Sequence, residues 1–320
     1  MKIVITDHRF PDVAQEQCAV ESAGGTLVVG QVTDEESLIE LCSQADGVLA
    51  VRAQITKRVI EAMTRCKVIV RYGIGVDTVD IEAATSRGIV VANVPDYCID
   101  EVSDHALALL LALSRQIVPG TMLAKKDRWS TSGMPRLRRL RGQTCGLFGA
   151  GKIGMLLASK VKALGMRVVA CDPFLSSAVA TAASIEKVSF DELVVNCDFI
   201  SLHAPLTAET FQIFNRARFQ QMKNPAFIIN TARGGLINEE DLLAALDCGE
   251  LSGAALDVLE SETTVTPGRT AMVNHPRIIM TPHTAWLSEE ARSALQQKAI
   301  AQVLDCLKGN KPYGAVNQVS

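Results

Sequence analysis

The chain has 320 residues, 48% of them hydrophobic, and a net charge of −3. That length exceeds one typical core and predicts two domains. The small, dispersed charge provides no field for a phosphate polymer or an anionic lipid surface, so nucleic acid and membrane are not expected as partners. From the first residue, short β-branched runs alternate with helical patterns. Residues 3–6, 26–29, 47–51, 68–71 and 90–92 read as strands, and 12–23, 34–43, 57–64 and 80–87 as helices between them. This rhythm predicts a parallel, doubly wound α/β sheet. Asn93-Val94-Pro95-Asp96 interrupts it. One long helix is predicted over 99–118 as a connector, with Asp100, Glu101 and Asp104 in its first turns. A second series then places strands near 145–149, 167–171, 198–202, 226–230, 253–256 and 278–280. The last helix, about 288–307, is expected to return to the first domain. The expected domains are therefore 1–98 with 288–320, and 99–287.

The 9 cysteines are scattered, without a CxxC pair or clustered histidines. This pattern predicts reduced thiols in a cytoplasmic protein, with neither disulfides nor a metal site. Cys145, Cys171 and Cys197 fall in or beside strand-like runs and read as small core residues. The start, Met-Lys-Ile-Val-Ile-Thr-Asp, is a strand rather than a signal core. The longest apolar run, 106–113, is too short to cross a bilayer. Arg136, Arg138, Arg139 and Arg141 precede the strand near 145 and read as a solvated or subunit-contact connector.

Gly149-Ala150-Gly151-Lys152-Ile153-Gly154 closes an apolar run and opens a helical segment, and Asp172 follows Gly154 by 18 residues. In that context GxGxxG is a dinucleotide fingerprint. The first glycine permits the turn, the second lets backbone approach a pyrophosphate, and the third lets helix pack on strand. The helix start offers N–H groups to the phosphates. Asp172, ending the next strand, would accept from ribose hydroxyls and repel a 2′-phosphate, which favours NAD over NADP.

Three later segments each lie at or just past a strand's C-terminal end, where ligands of parallel sheets bind. They are Asn230-Thr231-Ala232-Arg233-Gly234-Gly235, Leu256-Asp257-Val258-Leu259-Glu260-Ser261-Glu262 and Thr281-Pro282-His283-Thr284-Ala285-Trp286. Together with Val70-Arg71-Tyr72-Gly73-Ile74-Gly75-Val76-Asp77 and His203-Ala204-Pro205-Leu206-Thr207, they make the chain resemble the D-isomer-specific 2-hydroxyacid dehydrogenase family over nearly its whole length. Asn93 to Cys98 and a tryptophan three residues past His283 are most similar to the bacterial C-terminal binding protein-like and phosphoglycerate dehydrogenase-like branch.

The resemblance implies two doubly wound parallel-sheet domains, a discontinuous flavodoxin-like substrate domain and a Rossmann NAD-binding domain. It also implies a homodimer built on the connector helix and residues 129–141, and a small 2-hydroxy or 2-keto acid as substrate. Arg233, Glu262 and His283 become the catalytic set. His283 would protonate the carbonyl oxygen as hydride arrives, Glu262 would hold the ring in its charged form, and Arg233 would grip carboxylate and carbonyl with a fixed fork of donors. Glu260 lies close to Glu262, and Thr263 stands where the family usually has proline; the 29-residue spacing from Arg233 matches the family pattern for Glu262. Gly149, Gly151, Lys152, Ile153, Gly154, Asp172, His203, Pro205, Thr231, Ala232 and Asp257 are expected around the cofactor, Asp257 at the nicotinamide amide. Arg71 with the N–H groups of Gly73 and Ile74, Arg52 and Trp286 are expected at the substrate, with the active site between the domains.

Among the other histidines, His105 reads as a helix residue and His275 as a surface-loop residue, while His8 ends the first strand and faces either core or substrate. Gln54 stands where some phosphoglycerate dehydrogenases carry a further arginine, which weakens the case for a phosphorylated substrate. The end at Ser320 is expected to leave no room for the serine-sensing domain of many such enzymes. A nucleotide-sensing scaffold like the eukaryotic C-terminal binding proteins is the alternative. A formate dehydrogenase is disfavoured by the carboxylate at 262, where that family has glutamine.

Overall fold

The computed structural model describes residues 1–135 and 137–319; Arg136 of the basic cluster and Ser320 lie outside the described residues. The chain divides into two compact units, Met1–Tyr97 with Leu287–Ser320, and Cys98–Trp286.

In the first unit β1 (Lys2–Ile5), α1 (Ala14–Ser22), β2 (Thr26–Val29), α2 (Glu35–Cys42), β3 (Gly47–Ala50), α3 (Lys57–Ala62), β4 (Val68–Arg71), α4 (Ile81–Ser86) and β5 (Val90–Ala92) alternate in sequence. The strands form one parallel sheet in the order β2-β1-β3-β4-β5. β3 is buried at every position and β4 at all but its last, as expected where helices cover both faces. Edge strand β2 is only partly covered. Asp34, Thr56 and Asp80 cap α2, α3 and α4 by accepting N–H groups of their first turns. The order reverses between β1 and β3, so their C-terminal ends flank a crevice.

The second unit opens with a departure from the sequence reading. The helix expected over 99–118 is two, α5 (Ile99–Arg115) and α6 (Ile117–Lys125), bent by 60°. Gln116 between them takes a left-handed φ of 51°. Pro119 explains the break: inside one continuous helix it would lack the N–H for the Arg115 carbonyl and would clash with it. Ending α5 at Arg115 puts the proline in the first turn of α6, where no such bond is needed. No single helix among the described residues is long and apolar enough to cross a membrane.

There follow β6 (Thr144–Phe148), α7 (Lys152–Ala163), β7 (Arg167–Cys171), α8 (Ser177–Ala182), β8 (Glu186–Lys187), α9 (Phe190–Asn196), β9 (Phe199–Leu202), α10 (Arg216–Gln221), β10 (Phe227–Asn230), α11 (Glu239–Asp247), β11 (Gly253–Leu256), α12 (Pro267–Asn274) and β12 (Ile278–Met280). The seven-stranded parallel sheet runs β12-β11-β10-β9-β6-β7-β8. Alternate strand residues feed opposite cores: Ile228 and Ala254 join one, Ile229 and Ala255 the other. Cys145 and Cys197 are fully buried and Cys171 partly so; burial holds the Cys197 thiol up at about 12 and raises the other two. The chain ends with α13 (Glu289–Leu307), which packs on α1, β3 and β4 of the first unit.

Candidate active site

In the second unit the strand order reverses between β6 and β9, and the fingerprint leaves the end of β6. Gly149 has φ 95°, and a Cβ there would lie 2.6 Å from the Ala204 nitrogen. A Cβ on Gly154 would lie 2.5 Å from the Gly149 carbonyl oxygen. Gly151 is different: its φ is −70° and a Cβ would meet nothing within 4 Å. The fold itself requires the first and third glycines, whereas the second keeps clear the space over the start of α7. Gly151 is the N-cap and supplies no capping side chain, so the first N–H groups of α7 are left for an anion. Lys152 and Ile153 form the first turn, Lys152 exposed and Ile153 half-buried.

Asp172 lies one residue past β7. Its Oδ2 accepts the Ala150 N–H at 2.7 Å and its Oδ1 the Phe174 N–H at 2.7 Å. The half-buried carboxylate therefore shapes the fingerprint turn as well as lining its edge. His203 follows β9; its N–H donates to the Phe148 carbonyl at 2.7 Å and its Nε2 lies 2.9 Å from Ser201 Oγ. Desolvation pushes the ring's pKa down to about 4, so it is neutral at ordinary pH and unsuited to donate protons. Pro205, two residues on, is exposed. Beyond β10, Thr231 is 9% exposed and its Oγ1 is buried without a protein partner. An open approach at Gly151 and a bare helix start past β6, with an unsatisfied hydroxyl past β10 on the same edge of the sheet, fit a dinucleotide.

Arg233, Glu262 and His283 leave β10, β11 and β12, three neighbouring strands. Fully buried Asn230 shapes the first turn, its Oδ1 accepting the Ala232 N–H at 3.0 Å and its Nδ2 donating to the Arg233 carbonyl at 2.8 Å. Arg233 Nη1 donates to the Ala232 carbonyl at 2.7 Å. Gly234 then packs against the Leu259–Glu260 backbone so closely that any Cβ would collide with it, which brings the arginine turn against the loop leading to Glu262. That loop is clamped twice more: the Glu260 N–H donates to Glu239 Oε1 at 2.7 Å, and Arg269 Nη1 to the Glu262 carbonyl at 3.0 Å. Desolvation raises the pKa of Glu239.

His283 Nδ1 lies 2.6 Å from Glu262 Oε1, with side chains 31% and 26% exposed. A carboxylate only accepts, so Nδ1 carries the proton and Nε2 is the nitrogen left for chemistry. His283 takes a left-handed φ of 57°, a conformation that persists only when surroundings impose it. Asp257 imposes it. Its backbone oxygen accepts the His283 N–H at 2.9 Å, and its carboxylate accepts the Thr284 and Ala285 N–H groups at 2.9 Å each and the Thr281 hydroxyl. Thr281 Oγ1 in turn lies 2.9 Å from His105 Nε2 on α5, and Trp286 Nε1 donates to the His283 carbonyl at 3.1 Å. Asp257 is 2% exposed and braces the histidine loop, a job the sequence reading did not give it. His275 lies in the connection between α12 and β12, as the sequence reading had it. As the residue following α12 it is better covered than a loop position suggests, with its side chain 10% exposed and its Nδ1 accepting the Arg277 N–H at 3.2 Å.

The first unit carries its own group of the expected residues. Arg71 ends β4, and its guanidinium occupies the space a Cβ on Gly73 would need. The Gly73–Ile74 turn is tied by the Val94 N–H to the Gly73 carbonyl at 3.0 Å and by Asn93 Nδ2 to the Ile74 carbonyl at 2.5 Å. Arg52 follows β3 with its N–H held by Asp7 Oδ2 at 2.7 Å. Asp7, Asn93, Asn230, Thr281, His105, Glu239 and Arg269 were not anticipated. Asp7, Asn93, Asn230 and Thr281, at or just past strand ends, carried a positional cue, and His105, Glu239 and Arg269 carried none.

A doubly wound, dinucleotide-binding α/β unit with an imidazole–carboxylate pair and a guanidinium turn on neighbouring strand ends defines the class: a nucleotide-binding protein equipped for acid–base chemistry. The particular family follows from comparison. The family described as D-isomer specific 2-hydroxyacid dehydrogenase, NAD binding domain, matches residues 107–285, and the chain belongs to it. The D-3-phosphoglycerate dehydrogenase of Methanocaldococcus jannaschii is 37% identical over 320 residues, covering 99% of this chain and 59% of that protein. That of Rattus norvegicus is 34% identical over 317 residues, covering 99% and 58%. The chain thus spans less than two thirds of the length of these relatives. Among solved structures, D-lactate dehydrogenase from Aquifex aeolicus, complexed with NAD and lactic acid, is similar with a TM-score of 0.89 at 26% identity, covering 96% of both chains. D-lactate dehydrogenase from Escherichia coli is similar at 0.83 and 28%, covering 99% of this chain and 100% of that one.

Proposed function

We propose that the protein is an NAD-dependent oxidoreductase acting between a small D-2-hydroxy acid and its 2-keto acid, of the hydroxypyruvate, glyoxylate or phosphoglycerate type. The observation that carries this is His283 Nδ1 at 2.6 Å from Glu262 Oε1 on a partly exposed loop beside the Arg233 turn. Gly149, Gly151, Lys152, Ile153, Gly154, Asp172, His203, Pro205, Thr231 and Ala232 hold the cofactor, with Asp257 reaching the nicotinamide amide. Bound NADH supplies the hydride. Arg233 grips the carboxylate and carbonyl of the keto acid, Arg71 with Gly73 and Ile74 hold the carboxylate, and Arg52 and Trp286 meet the substituent on C2. As the C2 oxygen gains charge, the proton leaves His283 Nε2 for it, and Glu262 stabilises the cationic ring before transfer. In the opposite direction the neutral ring accepts that proton.

The unit of function is a homodimer, supported by Ile117, Val118, Met122 and Trp129, which stand 42–84% exposed on and after α6. Dispersed thiols without a disulfide partner support a cytoplasmic setting. The test is loss of NADH absorbance with glyoxylate, hydroxypyruvate, phosphohydroxypyruvate, pyruvate and larger 2-keto acids. Turnover of at least one is expected. Tight NADH binding with no turnover of any would replace the proposal with a nucleotide-sensing scaffold.

A further inference from the structure

We infer that His8 selects the substrate by recognising an oxygen on its C3 carbon, as a hydroxyl or a phosphate ester; this rests on the keto-acid reductase reading above. The reversal between β1 and β3 marks the ligand crevice of the first unit's sheet. What the chain places there is Asp7 and His8 after β1, and Val51, Arg52 and Ala53 after β3. Asp7, 6% exposed, is committed to structure: Oδ1 accepts the Val51 N–H at 3.0 Å, the Ala53 N–H at 3.3 Å and the Thr6 hydroxyl at 2.9 Å, and Oδ2 the Arg52 N–H.

His8 is tethered by its backbone and its ring, but the ring nitrogen Nδ1 is left unsatisfied. Its backbone N–H donates to Gln31 Oε1 and its carbonyl accepts from Gln31 Nε2, both at 3.3 Å. Its ring stacks on Phe10 at 6.1 Å, Phe10 meets Tyr72 edge-on at 5.0 Å, and Tyr72 donates to fully buried Glu16 at 2.8 Å. Yet His8 Nδ1 is buried with no protein partner. A buried polar atom left so costs stability, and one held rigidly in a strand-end crevice is how a pocket fixes a ligand's polar group. A C3 oxygen satisfies the nitrogen; the methyl of pyruvate cannot.

The experiment compares wild type, His8→Phe, which keeps a flat ring against Phe10, and His8→Asn, whose amide returns a polar atom near Nδ1. Each is assayed with pyruvate, hydroxypyruvate and phosphohydroxypyruvate. In His8→Phe, kcat/KM for a C3-oxygenated acid should fall at least tenfold further than for pyruvate, mainly through KM, with partial recovery in His8→Asn. A selective loss on hydroxypyruvate assigns the contact to the hydroxyl, and one confined to phosphohydroxypyruvate assigns it to the phosphate. Equal loss on all three acids, or no loss, overturns the inference. If wild type reduces none of them, the reductase reading has failed. His8 is then judged by its side-chain nitrogen NMR signals in the NAD-loaded protein: movement with D-glycerate but not D-lactate sustains recognition of a C3 oxygen, and no movement overturns it.

Discussion

Gly149 and Gly151 lie two residues apart in one loop, and the structure assigns them separable duties that two substitutions can distinguish. In Gly149→Ala the new methyl must exist at φ 95° and 2.6 Å from the backbone nitrogen of Ala204. The left-handed conformation costs about 1–2 kcal/mol, and displacing packed structure costs about 1–3 kcal/mol more. Taking roughly 3 kcal/mol in total, with each kcal/mol worth about 2–4 °C in a domain of this size, Tm should drop by about 6–12 °C. In Gly151→Ala the methyl enters open space at φ −70°. Restricting the unfolded chain should leave Tm unchanged or raise it by a degree or two, since such changes stabilise by about 0.4–1 kcal/mol. The methyl would, however, stand where the pyrophosphate must approach. An overpacking cost of about 2 kcal/mol there weakens NADH binding by roughly 30-fold. Differential scanning fluorimetry without nucleotide and NADH titration by fluorescence measure the two effects. If Gly151→Ala melts as early as Gly149→Ala, or binds NADH like wild type, the reasoning about this loop is wrong.

Asp172→Asn keeps an oxygen for only one of the Ala150 and Phe174 N–H groups and removes the charge, so Tm should fall by about 2–4 °C for the one lost hydrogen bond of about 1 kcal/mol while its preference for NADH over NADPH narrows at least about tenfold; an unchanged preference in paired titrations would refute the role of the carboxylate. Thr281→Val cuts the link between His105 and Asp257, and a displaced His283 loop should lower kcat by roughly 10²-fold with little change in KM; an unaltered kcat would show that the loop does not depend on it. His203 provides a pH test. Its folded pKa of about 4 lies below the usual 6.5, so the unfolded chain binds the extra proton and stability is lost as pH falls from 6.5 towards 4. His203→Gln should show a smaller drop in Tm over that window, and an identical drop would mean the ring is not desolvated.

What the sequence made legible was what physics encodes locally. Strands buried on both faces read as apolar runs, so β3, β4 and β9 were found within a residue or two, and the fingerprint was visible because the turn, the cofactor's approach and the packing of helix on strand each call for glycine. β8 escaped because it consists of Glu186 and Lys187, exposed charges on a sheet edge with no apolar signal. The bend at Gln116 was readable from Pro119, but the apolar periodicity running through both helices masked it. Arg233, Glu262 and His283 were located by motif. The groups that fix them were not, because His105 and Thr281 are 176 residues apart and Glu239 meets the Glu260 N–H across 21. Such partnerships follow from strand order, which no local window contains. For the same reason Asp257 was expected only at the cofactor, whereas its carboxylate also holds the loop that aims the histidine.

The most direct test of the central claim is a single-turnover measurement of NADH oxidation by the best keto acid, comparing wild type with His283→Asn at matched NADH occupancy. The account predicts equal NADH affinity and a chemical step slowed by about 10²–10⁴-fold, the share usual for a positioned general acid. A step of unchanged rate would contradict it and remove His283 from the proton transfer.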